Sequence, residues 1–334
     1  MHFDCIDYLP SEICQTPLSD ILSVFPNPTL ISVAGEREDP LFVSTLLHGN
    51  ETTSYFVLQE LARRYAHTPP PRSLLIFVGN VRAAAAGKRF LPGQPDFNRF
   101  WSRSSEPGYE LAEHIMETAQ NRYVFASIDI HNNTGANPLY GCVSTYRPAD
   151  LYLAARFAPV GVFYLNPPTT QSIAFSRMCP SITIECGQNE TKEGIERAID
   201  LVEHTMALDA FPRHAPETEA LRLFETIGRV LINPGAQFSF GEEGCDLVLR
   251  PDLENFNFKT MQHGTHWATC TQRDHPFRVV DEHGTDLTDQ FFQFDGEQVS
   301  LAQDITPSMV THDVDVIRQD CLCYLMKPHD LKQV

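Results

Sequence analysis

No run in this chain approaches the roughly 20 consecutive apolar residues that a bilayer-spanning helix requires, so a membrane partner is not expected. The first residues, MHFDCIDYLPSEICQ, are acidic and lack a basic segment leading into an apolar one, so no secretory signal is expected. Basic residues are scarce: 25 Lys and Arg stand against 43 Asp and Glu, a formal net charge of −18. Phosphate backbones are held by clustered Lys and Arg, and without such a cluster nucleic acid is excluded as a partner. The acidity favours solubility, and an anionic substrate would need specific arginines to offset it locally. There is no CxxC pair, and nine cysteines at irregular spacings read as reduced, mostly buried thiols in the cytoplasm. Ser44, Ser176 and Ser181 sit in no G-x-S-x-G elbow, which argues against a serine hydrolase. Internal repeats, low-complexity tracts and coiled-coil heptads are also missing.

What is present is a long alternation of short apolar runs and helix-period segments. LFVSTLL (41–47), SLLIFVG (73–79), VFASIDI (124–130), GVFYL (161–165) and SITIE (181–185) have the length, β-branched content and flanking turn residues of buried strands. Val57, Leu58, Leu61, Ala62 and Tyr65 share one helical face, as do Ile195, Ala198, Ile199, Val202 and Met206. The pattern predicts an α/β fold, a mixed and mostly parallel sheet flanked by helices, over residues 1–212. AFPRHAPETEA (210–220) reads as a linker. Beyond it, RVLIN (229–233), DLVLR (246–250), HWATC (266–270) and CLCYL (321–325) are separated by Gly, Asn, Asp and Pro. They predict a smaller β-rich domain over 216–334.

Four features carry candidate chemistry. His48-Gly-Asn-Glu51 follows directly on LFVSTLL, which places an imidazole and a carboxylate just past a strand's carboxyl end. Open α/β sheets bind ligands there, and these two groups suit zinc. His131 in Asp129-Ile130-His131-Asn132 again sits past an apolar strand and could supply a third ligand, with Asp129 accepting the ring's other N–H. Glu185 ends SITIE, where partial burial would raise its pKa towards the range of a general base. In GKRFLPGQPDFNRFW (87–101), Arg89, Asn98 and Arg99 concentrate donors among Phe90, Phe97, Phe100 and Trp101. Such a loop could seize a carboxylate or a developing oxyanion. Each feature alone has a plain alternative: a strand-end histidine bonded to a loop, a helix-capping carboxylate, or a solvated surface loop.

The ordered set HGNE, GKRF with DFNRFW, DIHN and ITIECG resembles the succinylglutamate desuccinylase/aspartoacylase family, a branch of the zinc carboxypeptidase fold, over about residues 41–205. The resemblance implies one Zn2+ per chain held by His48, Glu51 and His131, with Glu185 activating the metal-bound water. It implies that Arg89 polarises the scissile carbonyl and that Asn98 and Arg99 hold a substrate carboxylate. The implied activity is hydrolysis of the amide of an N-acyl amino acid. The implied partner is thus a small anionic substrate with a carboxylate, with self-association left open. Thr169-Thr170-Gln171-Ser172-Ile173-Ala174 is similar to a stretch of aspartoacylase in which a substrate-binding arginine stands in place of Gln171. The nearest arginine here is Arg177, so Gln171 and Arg177 are the positions expected to take part in substrate binding. NNTGANPLYG after His131 also departs from the desuccinylase pattern.

Two other readings compete. A metallocarboxypeptidase acting on peptides needs the same zinc, base and carboxylate clamp. A non-catalytic protein could use the pocket to bind an amino-acid derivative, although such a protein would be free to lose Glu185. His263 and His266 have ligand-like spacing but no acidic partner pattern, and Cys142 and Cys186 pair with no histidine. Neither pair is expected to carry chemistry.

Overall fold

The computed structural model describes residues 2–102, 107–217, 219–271 and 275–331. It divides into two compact units, one formed by 1–132, 139–222 and 331–334, the other by 133–138 and 223–330. This differs from the division expected from the sequence in two respects. The change comes at 222/223, at the start of a long strand, rather than in the proline-containing stretch. That stretch is nevertheless without helix or strand where it is described. Six residues soon after His131 also belong to the second unit, a long-range membership that local pattern cannot signal.

In the first unit the strands are β1 (Asp4–Ile6), β2 (Thr29–Val33), β3 (Leu41–Thr45), β4 (Leu74–Val78), β5 (Ala126–His131), β6 (Tyr140–Val143), β7 (Val160–Phe163) and β8 (Ser181–Glu185). Their order across the sheet is β1-β2-β4-β3-β5-β8-β6-β7. The central run β4-β3-β5-β8 is parallel, while β2 and β6 run antiparallel to β4 and β8. The helices are α1 (Thr53–Tyr65), α2 (Val81–Ala85), α3 (Tyr109–Asn121), α4 (Pro148–Phe157), α5 (Gln171–Phe175) and α6 (Lys192–Ala207). The chain goes from β3 to β4 on one side and then crosses back to β5 on the other, so the sheet order reverses at β3/β5. At such a reversal the carboxyl ends of neighbouring strands diverge and leave a crevice.

Side chains alternate across the pleat, and the alternation sorts this sheet's chemistry. Ser-Ile-Asp-Ile-His in β5 and Ser-Ile-Thr-Ile-Glu in β8 run in register, so Ser127, Asp129 and His131 share a face with Ser181, Thr183 and Glu185. Phe42 and Ser44 of β3 lie on the same face. There Phe42 stacks on Phe175 of α5 with ring centroids 4.2 Å apart. The core on that face also takes Leu111, Ala112, Ile115 and Ala119 from α3, with Phe77, Phe97, Phe100 and Trp101. α1 and α6 pack on each other and against β5.

The second unit holds β9 (Arg222–Ile232), β10 (Phe238–Phe240), β11 (Leu247–Leu249), β12 (His266–Cys270), β13 (Phe277–Val280), β14 (Phe292–Asp295), β15 (Gln298–Leu301), β16 (Thr306–Ser308) and β17 (Cys323–His329). One group pairs as β13-β9-β17-β16, the other as β10-β11-β12-β15-β14. Trp267, Phe277, Phe291 and Phe292 fill its core. Among the described residues no helix is long and apolar enough to cross a membrane.

Candidate metal centre

The turn after β3 is tightly constrained. Leu46 takes a left-handed conformation (φ +53°), unusual for a residue with a side chain. Its N–H donates to Ser54 Oγ (3.0 Å) and its carbonyl accepts from Asn80 N (2.8 Å). Gly49 follows with no room for a side chain: a β-carbon there would lie 2.2 Å from the Ala84 nitrogen in α2. The Gly49 N–H donates to the Arg89 carbonyl (3.0 Å), which fixes the start of the 87–101 loop beside the turn. His48 and Glu51 are therefore presented by a backbone held on both sides. The amino end of α1 is capped from outside, by Asn132 Oδ1 on Thr53 N (3.0 Å) and Asn189 Oδ1 on Thr52 N (3.0 Å).

His48, Glu51 and His131 are all buried, and each offers a ligand atom within 4.8 Å of the others'. His48 Nδ1 lies 2.7 Å from Glu51 Oε1, and His131 Nδ1 lies 2.7 Å from Glu51 Oε2. Each ring's other nitrogen meets a carboxylate: His48 Nε2 is 3.1 Å from Asp96 Oδ1, and His131 Nε2 is 2.8 Å from Asp129 Oδ2. A carboxylate only accepts, so in a neutral ring with its one hydrogen on Nε2 the Nδ1 lone pair would face the Glu51 oxygens. Lone pair against carboxylate is repulsive unless a cation, proton or metal, lies between them. The donor set of two imidazole nitrogens and a carboxylate fits zinc, and outer carboxylates on the ligating rings are the usual support for such ions.

The electrostatics agree. Burial works to raise the Glu51 pKa, but the charges and hydrogen bonds of His48 and His131 outweigh it and hold the carboxyl far below its ordinary range. At Asp96 burial is likewise overcome, by His48 first and then by Arg89 and Arg99. For His131 burial would lower the pKa, yet Asp129 and Glu51 drive it well above the usual histidine value. Glu51, Asp96 and Asp129 stand with two guanidiniums, Arg89 at 3.7 Å from Glu51 and 3.5 Å from Asp96, and Arg99, whose charge also acts on Asp96. Negative charge is in excess, which a divalent cation would correct.

Glu185 ends β8 as the register partner of His131 and of Tyr140 on β6, so it stands beside the histidine on the same face. Arg89 reaches the centre through Glu51 and Asp96. Asn98 is buried: its Oδ1 accepts from Gln171 N (2.9 Å) and its Nδ2 lies 3.2 Å from His131 Nε2. Arg99 is half-buried and donates from Nη1 to the Asn98 carbonyl (2.9 Å). The loop carrying these groups is anchored by Phe97, Phe100 and Trp101, all buried, and by a Trp101 Nε1 bond to the Phe97 carbonyl (2.7 Å).

Two expected substrate residues are placed differently. Gln171 is fully buried at the first turn of α5, and its Nε2 donates to Ser127 Oγ (2.8 Å). Through these bonds it braces Asn98 and β5. Arg177 is exposed and precedes the amino end of β8, the end opposite Glu185. A strand of five residues spans about 13 Å between its end residues, which separates Arg177 from the centre. Sequence reasoning missed Asp96 and Ser44. Asp96 lay inside the quoted DFNR, and its acidic side chain beside a basic loop was the available signal. Ser44 was signalled by a hydroxyl inside an otherwise apolar strand. Among the described residues no ligand grouping includes His263 or His266.

Comparison with known proteins agrees with this geometry. Residues 39–207 match the profile of the succinylglutamate desuccinylase/aspartoacylase catalytic domain. Among solved structures, the succinylglutamate desuccinylase of Chromobacterium violaceum superposes with a TM-score of 0.58 at 16% identity, covering 89% of this chain and 86% of its own. Murine aminoacylase 3 gives 0.54 at 15% identity, covering 89% and 97%. The ectoine utilization protein EutE of Ruegeria pomeroyi gives 0.51 at 14% identity, covering 82% and 88%. At these identities the likeness is one of fold. No curated protein sequence matches the chain.

Proposed function

Because the chain belongs to the succinylglutamate desuccinylase/aspartoacylase family, we propose that it is a zinc-dependent amidohydrolase that cleaves the amide of an N-acyl amino acid. The observation that carries this reading is the buried His48–Glu51–His131 set with Glu185 on the adjoining rung of the sheet. The three ligand residues would hold one zinc ion, which when bound acidifies a coordinated water and polarises the substrate carbonyl. Glu185 takes a proton from the attacking water and returns it to the departing nitrogen. Arg89, beside Glu51, stabilises the oxyanion as the carbonyl carbon becomes tetrahedral. Arg99 binds the carboxylate of the amino-acid half, and Asn98, held by Gln171, fixes the loop that presents it. The substrate is thus a small anion. Nine cysteines at irregular spacings with no CxxC pair fit a reducing compartment such as the cytoplasm.

The test combines metal content with turnover. Purified protein supplied with zinc should retain about one ion per chain, and His48→Ala should lose it. A panel of N-acyl amino acids should be hydrolysed by the wild type. Steady cleavage of C-terminal dipeptides with no cleavage of N-acyl amino acids would make it a carboxypeptidase. Tight binding without turnover would make it a binding protein.

A further inference from the structure

We propose that Ser44 is a positioning residue for His131, acting through Asp129; this rests on the metal reading above. Asp129 is fully buried, and its two oxygens have different partners: Oδ2 accepts from His131 Nε2 (2.8 Å) and Oδ1 accepts from Ser44 Oγ (2.6 Å). Ser44 and Asp129 are register partners on β3 and β5, so the hydroxyl is delivered from a backbone fixed in the middle of the sheet. Ser44 is itself fully buried, among Phe42, Val43 and other apolar strand residues. A hydroxyl is costly in such a place unless it is bonded, and its bond here is to the carboxylate that orients a ligand.

A carboxylate held by one oxygen can still turn about its Cβ–Cγ bond. The Ser44 bond removes that freedom, which aims Oδ2 at His131 Nε2 and fixes the orientation of the ring. Thr183, on the opposite side, could have served instead. Its hydroxyl is 3.5 Å from Asp129 Oδ2 but 2.8 Å from Ser172 Oγ, and Ser172 meets the Tyr164 hydroxyl at 2.7 Å. The Thr183 proton therefore goes to Ser172, and Ser44 supplies the hydroxyl that orients Asp129. Because β3 also leads into His48 and Glu51, this one bond ties the strand of two ligands to the strand of the third.

The experiment compares Ser44→Ala, Thr183→Ala, Asp129→Asn and the double variant Ser44→Ala/Asp129→Asn with the wild type. Two readouts are taken: zinc affinity by chelator competition, and the His131 ring N–H signal in the metal-free protein by proton–nitrogen NMR. Ser44→Ala should weaken zinc about tenfold, the lower end of what losing a ligand's outer partner costs. Its His131 Nε2–H signal should broaden or shift. Thr183→Ala should change zinc affinity less than twofold. The double variant should bind zinc as weakly as Asp129→Asn alone. Ser44→Ala with wild-type affinity and an unmoved ring signal would overturn the proposal, as would additive losses in the double variant. If the wild type itself took up no zinc, the functional reading would fail, and the ring signal in the metal-free proteins would still decide the role of Ser44.

Discussion

His131 and Glu185 are partners on one rung of the parallel pair β5 and β8, so a proposed metal ligand and a proposed base leave the sheet side by side. Their roles separate experimentally. Glu185→Gln keeps shape and removes the proton acceptor, so it should retain zinc while turnover falls about 10²–10⁴-fold. Metal analysis and turnover on the same sample check this; loss of zinc along with activity would make Glu185 a ligand instead.

Asp96 touches His48 Nε2 and lies 3.5 Å from the Arg89 guanidinium, so one carboxylate contacts both a proposed ligand and the proposed oxyanion group. Asp96→Asn should weaken zinc binding about 10–100-fold. Arg89→Ala should leave zinc in place and lower kcat about 10²–10³-fold. Chelator competition and steady-state kinetics distinguish the two.

Gly49→Ala places a carbon against the backbone of Ala83 and Ala84, atoms that cannot move aside as a flexible side chain would. Overpacking typically costs about 1–3 kcal/mol. The expected outcome is a lower Tm with loss of zinc, measured by calorimetry and metal content. An unchanged Tm would mean that α2 is free to shift.

Arg72 is almost wholly buried, donates to the carbonyls of Leu208 (2.7 Å) and Asp39 (3.0 Å), and stacks over Phe125 at 3.7 Å. It satisfies the chain just past the end of α6. Arg72→Met should cost about 1.5–3 kcal/mol in stability, the usual worth of hydrogen bonds to a charged group. Denaturant unfolding would read it, with activity per folded molecule unchanged.

Burial raises the thiols of Cys142, Cys179, Cys186, Cys321 and Cys323, Cys179 to about 12. Neutral thiols are poor nucleophiles, so alkylating reagents near pH 7.5 should leave these five unmodified and activity intact. The sign of the stability effect follows. An acid whose folded pKa lies above its unfolded value stabilises fully below the latter, about 8.5, and loses that contribution as pH rises. Tm should therefore fall between about pH 8.5 and 10, and a Tm that held steady there would refute the shifts.

Much of this was legible in the sequence because strand ends and ligand types coincide. SITIE and HWATC match β8 and β12 residue for residue, and the helical face from Val57 to Tyr65 lies within α1. β1 and β6 were not legible: three and four residues hold too little pattern, and pairing with a neighbour makes them strands. The family's motifs pointed to His48, Glu51 and His131, which the fold brings together and which spacing alone left open. The burial of Gln171 was not legible because it depends on Ser127 and Asn98, positions far away in the chain. Its amide serves the same interior that an apolar side chain would fill.

The proposed ligands also differ in when they become available. Glu51 and His131 are separated by 80 residues. At about 5–20 residues per second, synthesis would deliver the third ligand about 4–16 s after the first two. His48 and Glu51 alone make a weak, two-toothed grip on an ion. Only when β5 has inserted beside β3 does the grip close, so retained metal would act as a stopwatch for completion of the central sheet.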